Sequence, residues 1–284
     1  MDNIRQIVVH FGDASPASQH ALAVAAALAR QHGARLSLRS VVESVASGAY
    51  LSPEAAALAT QLVTEQMQTL KTQAQAQLEA LGSGIEAELV HRADEAVDHL
   101  IEASRATDLL VLSQPEPGRG LSLEAMARIL VQASCPVLLV PFIGAAPTLG
   151  QTVLLAWSGT RESARAMNDA LPWLRAARQV ELLALDAEEP LAWSAVQAHL
   201  RRHGVPLQPR LLPLARQPSL GERLARAWSP DASVAEALLS RAADSGADLI
   251  VCGAYGHPRA WELVLGGVTR ELLQSMTVPV LFSH

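Results

Sequence analysis

The chain reads as an α/β protein of two tandem doubly wound, parallel-sheet domains, and three observations say so. Short apolar runs alternate with helical patterns throughout, as parallel strands buried on both faces and joined by crossover helices require. The whole alternation then occurs a second time, giving an internal repeat of about 140 residues. The 284 residues, 50% hydrophobic and 18% charged, suffice for two ordinary domains, each with its own core.

Taken in order, Ile7–Phe11 is a first strand. Ser15 can cap the following helix, with Pro16 at its first position and Gly33 as its stop. Arg35–Val42 is a strand, residues 52–81 a long helix, Glu86–His91 a strand and Ala93–Ala106 a helix. Asp108–Leu112 is the fourth strand; a helix over Leu121–Gln132 and a strand at Pro136–Val140 complete the first copy. The stretch 142–150 has linker composition. Val153–Trp157 opens the second copy, with a turn at Ser158-Gly159-Thr160 and a helix from Arg161 to Ala177. A strand follows at Val180–Leu185, a helix at Leu191–His203, a strand within 207–214, and a helix over Ser233–Ser245 with Ser233 as its N-cap. Leu249–Cys252, a helix over Arg270–Met276 and the closing strand Val278–Phe282 end the chain. The copies share words: Thr107-Asp108-Leu109-Leu110-Val111 matches Ala247-Asp248-Leu249-Ile250-Val251. Cys135–Val140 matches Thr277–Phe282 in pattern, with proline one place later. These limits give domains at 1–142 and 150–284.

Composition excludes several functions. A formal net charge of -6 argues against a nucleic-acid partner held through phosphates. No apolar run is long enough to span a membrane, and the N-terminus leads into a strand without a signal-peptide layout; the expected location is the cytoplasm. Cys135 and Cys252, the two cysteines, fall in or beside strand patterns in opposite halves and read as small buried hydrophobes in a reducing compartment. The nine histidines show no ligand spacing, so no metal site is expected.

The chemically suggestive stretch is the one beginning at Asp248. Gly253 and Gly256 bracket the loop after a buried strand; Gly266 and Gly267 arrive as a helix begins with Val268 and Thr269. Glycine where a strand ends and where a helix starts lets backbone N–H groups approach an anion, with the helix dipole assisting. The same spacing also suits ordinary turn and cap glycines. Doubly wound folds bind ligands beyond the carboxyl ends of their strands, which fits the first alternative.

At these residues the chain resembles the universal stress protein family in its tandem form, over nearly its whole length. Gly253-x2-Gly256-x9-Gly266 is the family's nucleotide-binding spacing. The Val153–Ala166 stretch resembles its first strand, loop and helix start. The resemblance implies a Rossmann-like, adenine nucleotide alpha hydrolase-like fold, with the halves packed as a pseudo-dimer through Pro136–Val140 and Val278–Phe282. A homodimer of the whole chain is compatible with it. It further implies an adenine nucleotide, ATP with Mg²⁺ accompanying the triphosphate, held in the second domain as a stress-response switch. Backbone amides around Gly253, Gly256, Gly266, Gly267, Val268 and Thr269 would wrap the phosphates, and His257 or Arg259 could reach the terminal one. Ala156, Trp157 and Ser158 would flank the adenosine, with Leu182–Leu185 as an apolar wall.

Two departures matter. Gly267 stands where the family motif has Ser or Thr after the third glycine, making Thr269 the next hydroxyl; Ser158 stands where ATP-binding members carry an acidic residue. The first half departs further. Its Asp13 is acidic, but Ser113 and Glu116 replace the paired glycines and the third falls near Glu124, where a carboxylate would repel a phosphate. That half is expected to be degenerate, with Asp13 a solvated turn residue. No catalytic residue is assigned, although slow ATP hydrolysis fits the same site. A scaffold that binds no nucleotide is the main alternative. An ATP pyrophosphatase-type enzyme, suggested by Ser158-Gly159-Thr160-Arg161-Glu162-Ser163, lacks two defining positions of its loop.

Overall fold

The computed structural model describes residues 4–42, 52–82, 84–93, 95–116, 118–142, 149–185, 190–212, 232–254 and 267–284. The chain divides into two compact units, one ending at Phe142 and the other continuing to His284.

In the first unit the strands are β1 (Gln6–His10), β2 (Arg35–Val42), β3 (Ala87–Ala93), β4 (Leu109–Ser113) and β5 (Val137–Val140). They form a wholly parallel sheet in the order β3-β2-β1-β4-β5. The helices are α1 (Pro16–His32), α2 (Pro53–Ala80), α3 (Ala96–Ser104) and α4 (Leu123–Gln132). α1 starts and stops as its sequence dictates: the Ser15 hydroxyl accepts from the Ser18 N–H, and Gly33 closes the helix at φ 62°. Only glycine adopts that left-handed conformation without strain. Small residues face the sheet from α1, with Ala21, Ala25, Ala26 and Ala29 at most 1% exposed, so helix and sheet approach closely. The core strands hardly alternate, since Leu109–Leu112 are all 0% exposed beneath helices on both faces.

The second unit repeats the plan with β6 (Thr152–Ala156), β7 (Gln179–Ala184), β8 (Leu207–Leu211), β9 (Leu249–Gly253) and β10 (Val280–Ser283). Its sheet runs β10-β9-β6-β7-β8, again all parallel. Pro209 sits in β8, an edge strand of this unit, where a missing N–H is tolerated. The helices are α5 (Arg161–Asp169), α6 (Leu171–Ala176), α7 (Trp193–Arg202), α8 (Ala232–Ser245) and α9 (Gly267–Ser275).

Three expectations change. The single helix expected from Arg161 to Ala177 is two, broken at Ala170, because Pro172 has no N–H to continue the i→i−4 ladder and instead opens α6 near its N-terminus. α8 already includes Ala232, so Ser233 is a helical residue and not the one that precedes the helix. The prolines before β5 and β10 are also in the same register. The Leu110 N–H donates to the Pro136 carbonyl and the Ile250 N–H to the Pro279 carbonyl, while Leu110 and Ile250 occupy equivalent positions beside β1 and β6.

The repeated aspartate has a structural job. Asp108 Oδ2 accepts the N–H groups of Arg5 and Gln6 at 2.7 and 2.9 Å. In the other half, Asp248 accepts those of Gln151 and Thr152, both at 3.0 Å. Each carboxylate thus fastens the amino end of the first strand in its half to the strand beside it, away from the carboxyl edge.

Candidate functional site

In both units the strand order reverses between the first strand and the fourth, and ligands of open parallel sheets bind at that carboxyl edge. In the second unit this is the edge between β6 and β9, which pair through Leu155 and Val251. Ala156, Trp157 and Ser158 leave β6 here, and Gly253 ends β9. Gly267, Val268 and Thr269 begin α9. Gly256, His257 and Gly266, with Arg259, lie outside the described residues.

Packing claims some of these residues and leaves others accessible. Trp157 is 7% exposed; its backbone N–H donates to the Leu183 carbonyl and its indole N–H to the Leu191 carbonyl at 3.1 Å. The ring is committed to packing, while Ser158 is exposed with its hydroxyl 3.1 Å from that of Thr160. Thr160 caps α5, accepting from the Ser163 N–H. Thr269 is 4% exposed on the buried face of α9 with Leu272 and Leu273; Gly267 and Val268 are half-buried. Leu182, Leu183 and Ala184 are core residues, at most 1% exposed.

Gly253 has a reason independent of any ligand. A Cβ there would stand 2.6 Å from the Glu162 carbonyl carbon and the Ser163 nitrogen, so the start of α5 rests directly on the end of β9. Glu162, which the sequence offered only as part of the Ser158–Ser163 loop, is an 8% exposed carboxylate at this junction. Burial works against its charge. Its own backbone N–H, the Arg161 guanidinium at 3.0 Å and the nearby His284 outweigh that and hold it below the usual carboxylate range. A first-turn position also places it favourably against the helix dipole; that position was the available signal. His284 in turn reaches the Ala254 carbonyl through Nδ1 at 3.0 Å.

The first unit carries the same edge with different chemistry. The Phe11 and Trp157 N–H groups make equivalent bonds, to the Arg39 and Leu183 carbonyls. The cap follows four residues after Phe11, at Ser15, but three after Trp157, at Thr160. Asp13 sits in this longer turn. It is not the solvated turn residue expected: its Oδ1 accepts from the Ser15 N–H at 3.0 Å and the Ser18 hydroxyl at 2.8 Å. Partial burial opposes its ionisation, but those hydrogen bonds and the Arg119 guanidinium keep its carboxyl below the ordinary range. Ser113 takes the position of Gly253, since the next N–H groups, of Gln114 and Ala254, bond to the Val140 and Ser283 carbonyls alike. Counting back from β5 and β10, Glu124 takes that of Gly267.

Among the described residues, no group of three His, Cys, Asp or Glu is placed to hold a metal ion, and no helix is long and apolar enough to cross a membrane.

Two repeated β-α units with a ligand edge at each topological reversal define a tandem protein of the doubly wound α/β class. The model of the universal stress protein family matches residues 3–141 and again 150–284, and the chain belongs to that family. Among solved structures, a universal stress protein from Archaeoglobus fulgidus DSM 4304 is 14% identical with a TM-score of 0.70; the match covers 98% of this chain and 95% of that one. A putative universal stress protein from Pseudomonas aeruginosa UCBPP-PA14 is 16% identical with a TM-score of 0.56, covering 99% and 93%. A universal stress protein in complex with cAMP is 19% identical and covers 50% of this chain and 99% of that one, with a TM-score of 0.33. No curated protein matches the chain.

Proposed function

We infer that this universal stress protein binds an adenine nucleotide in its second half, ATP with Mg²⁺ being the form to test, and uses occupancy as a conformational switch. The observation that carries this reading is the start of α9 at Gly267, the first described helix after β9, together with the carboxyl edge that β9 shares with β6. A helix start on a residue without a side chain lets the backbone approach a phosphate closely, with the helix dipole assisting. The equivalent first-half position bears Glu124, whose charge opposes the same ligand. The nucleoside would be held by backbone around Ala156 and Ser158, since Trp157 is turned inward.

The test is ATP titration of the full chain with Mg²⁺ by calorimetry. One equivalent should bind per chain, with binding abolished in Gly267→Glu and in Gly256→Glu and kept in Glu124→Gly and Glu116→Ala. No saturable binding at millimolar ATP sinks the switch and leaves a scaffold. Binding that survives both glycine replacements places the nucleotide elsewhere.

A further inference from the structure

The first half, unsuited to phosphate, holds a cavity of about 600 Å³ at the carboxyl ends of β1 and β2, beneath α2. Its size is that of small-molecule sites, and so is its lining, mostly apolar with a few convergent polar groups. Val41, Leu70 and Leu121 make an apolar floor, and Leu62, 51% exposed on α2, extends it towards solvent. Polar groups come from His10 and Asp13 and, on α2, from Glu65, Gln66, Thr69 and Gln73. His10 is 6% exposed and its Nε2 has no hydrogen-bond partner among the described residues, an unmet capacity that a folded protein ordinarily fills.

The charge of the lining discriminates among ligands. Among the described residues that line it there is no lysine or arginine, and its acidic groups are Asp13 and Glu65. Asp13 has an exposed arginine, Arg119, 4.0 Å from Oδ2, an ion pair too long and too solvated to neutralise it. Among the described residues the Glu65 carboxylate accepts from the Gln61 side-chain amide, at 2.9 Å. An anion entering here would be repelled, whereas a cation would find two carboxylates at the rim of an apolar floor.

We propose that this cavity is a second binding site, chemically distinct from the nucleotide edge of the other half, which takes an organic amine with an apolar ring system and rejects phosphorylated ligands. The ring would cover Val41, Leu62 and Leu70, and the ammonium would lie between Asp13 and Glu65.

Tryptamine titrated calorimetrically into the full chain is the direct probe, with indole-3-acetate as the same ring bearing the opposite charge. Saturable tryptamine binding is expected, unaffected by excess ATP or by Gly267→Glu, and absent with indole-3-acetate. Glu65→Lys should weaken it by about tenfold or more, the scale of losing one charge-assisted contact. Thr69→Trp should abolish it by filling the space. Glu65 and Thr69 are exposed on α2, so both variants should keep the wild-type far-UV circular dichroism. The proposal is overturned by absence of saturable heat, by indole-3-acetate binding as tightly, or by wild-type affinity in both α2 variants. Because Gly267→Glu removes the nucleotide edge alone, failure of either site is read separately.

Discussion

His10 is a histidine kept neutral inside the first half. Burial pushes its pKa down to about 4, with His99 adding in the same direction and Asp13 opposing. The folded protein therefore resists protonation that the unfolded chain accepts near pH 6.5. Between those two values the unfolded state binds more protons, so stability rises with pH through this window, is fully present above about 6.5 and falls as pH drops towards 4. His10 should account for roughly 2 kcal/mol lost between pH 7 and pH 5. Urea midpoints at the two pH values check this: wild type should lose that much more than His10→Gln, and equal losses would show that the imidazole is not the group responsible. Gly253 offers a second residue-scale test. A methyl group placed 2.6 Å from two backbone atoms of α5 must push the helix start away, at a cost of about 1–3 kcal/mol. Denaturant unfolding of Gly253→Ala in the absence of nucleotide measures it. Sequence reasoning saw a phosphate-approach glycine there and missed this reason, because the contact is with a residue 91 positions away in sequence.

Elements were legible where local chemistry decides them, as at Ser15-Pro16 and Gly33 around α1. They were misread where a single residue interrupts a pattern that otherwise continues: Pro172 splits one expected helix into α5 and α6. The carboxyl edge was also readable, because alternating strands and helices in a parallel sheet force it. The faces were not. Nothing local says that Thr269 turns into the core while Gly267 stays half-buried, or that the polar stripe of α2 bearing Glu65 and Thr69 roofs a cavity. Helix-to-sheet packing settles both. The matched words around Asp108 and Asp248 suggested a repeat without its purpose, which is the fastening of neighbouring strands. Asp248→Ala leaves two strand N–H groups without their carboxylate and should cost about 2–3 kcal/mol, whereas Asp248→Asn should recover part of that through its remaining oxygen. Thermal unfolding of the three proteins gives the order: wild type, then Asn, then Ala. Equal Asn and Ala losses would mean that the oxygen's hydrogen bonds are not what holds β6 to β9.

At the scale of the whole molecule, the halves differ in a way that separates their chemistry experimentally. All five tryptophans, at 157, 173, 193, 228 and 261, belong to the second half, so tryptophan emission reports that half alone while far-UV circular dichroism reports both. A ligand that binds only folded protein stabilises it by about 2.7 kcal/mol at a hundred times its dissociation constant. ATP bound at the α9 start should therefore raise the urea midpoint seen by tryptophan emission by that amount, and Gly267→Glu should remove the shift. Glu124→Gly should leave it intact, since the charge it deletes stands in the other half. A shift that persists in Gly267→Glu would remove ATP from the second-half edge. The opposite pattern, lost only on changing Glu124, would mean that the two copies had exchanged the roles argued here from their loop charges.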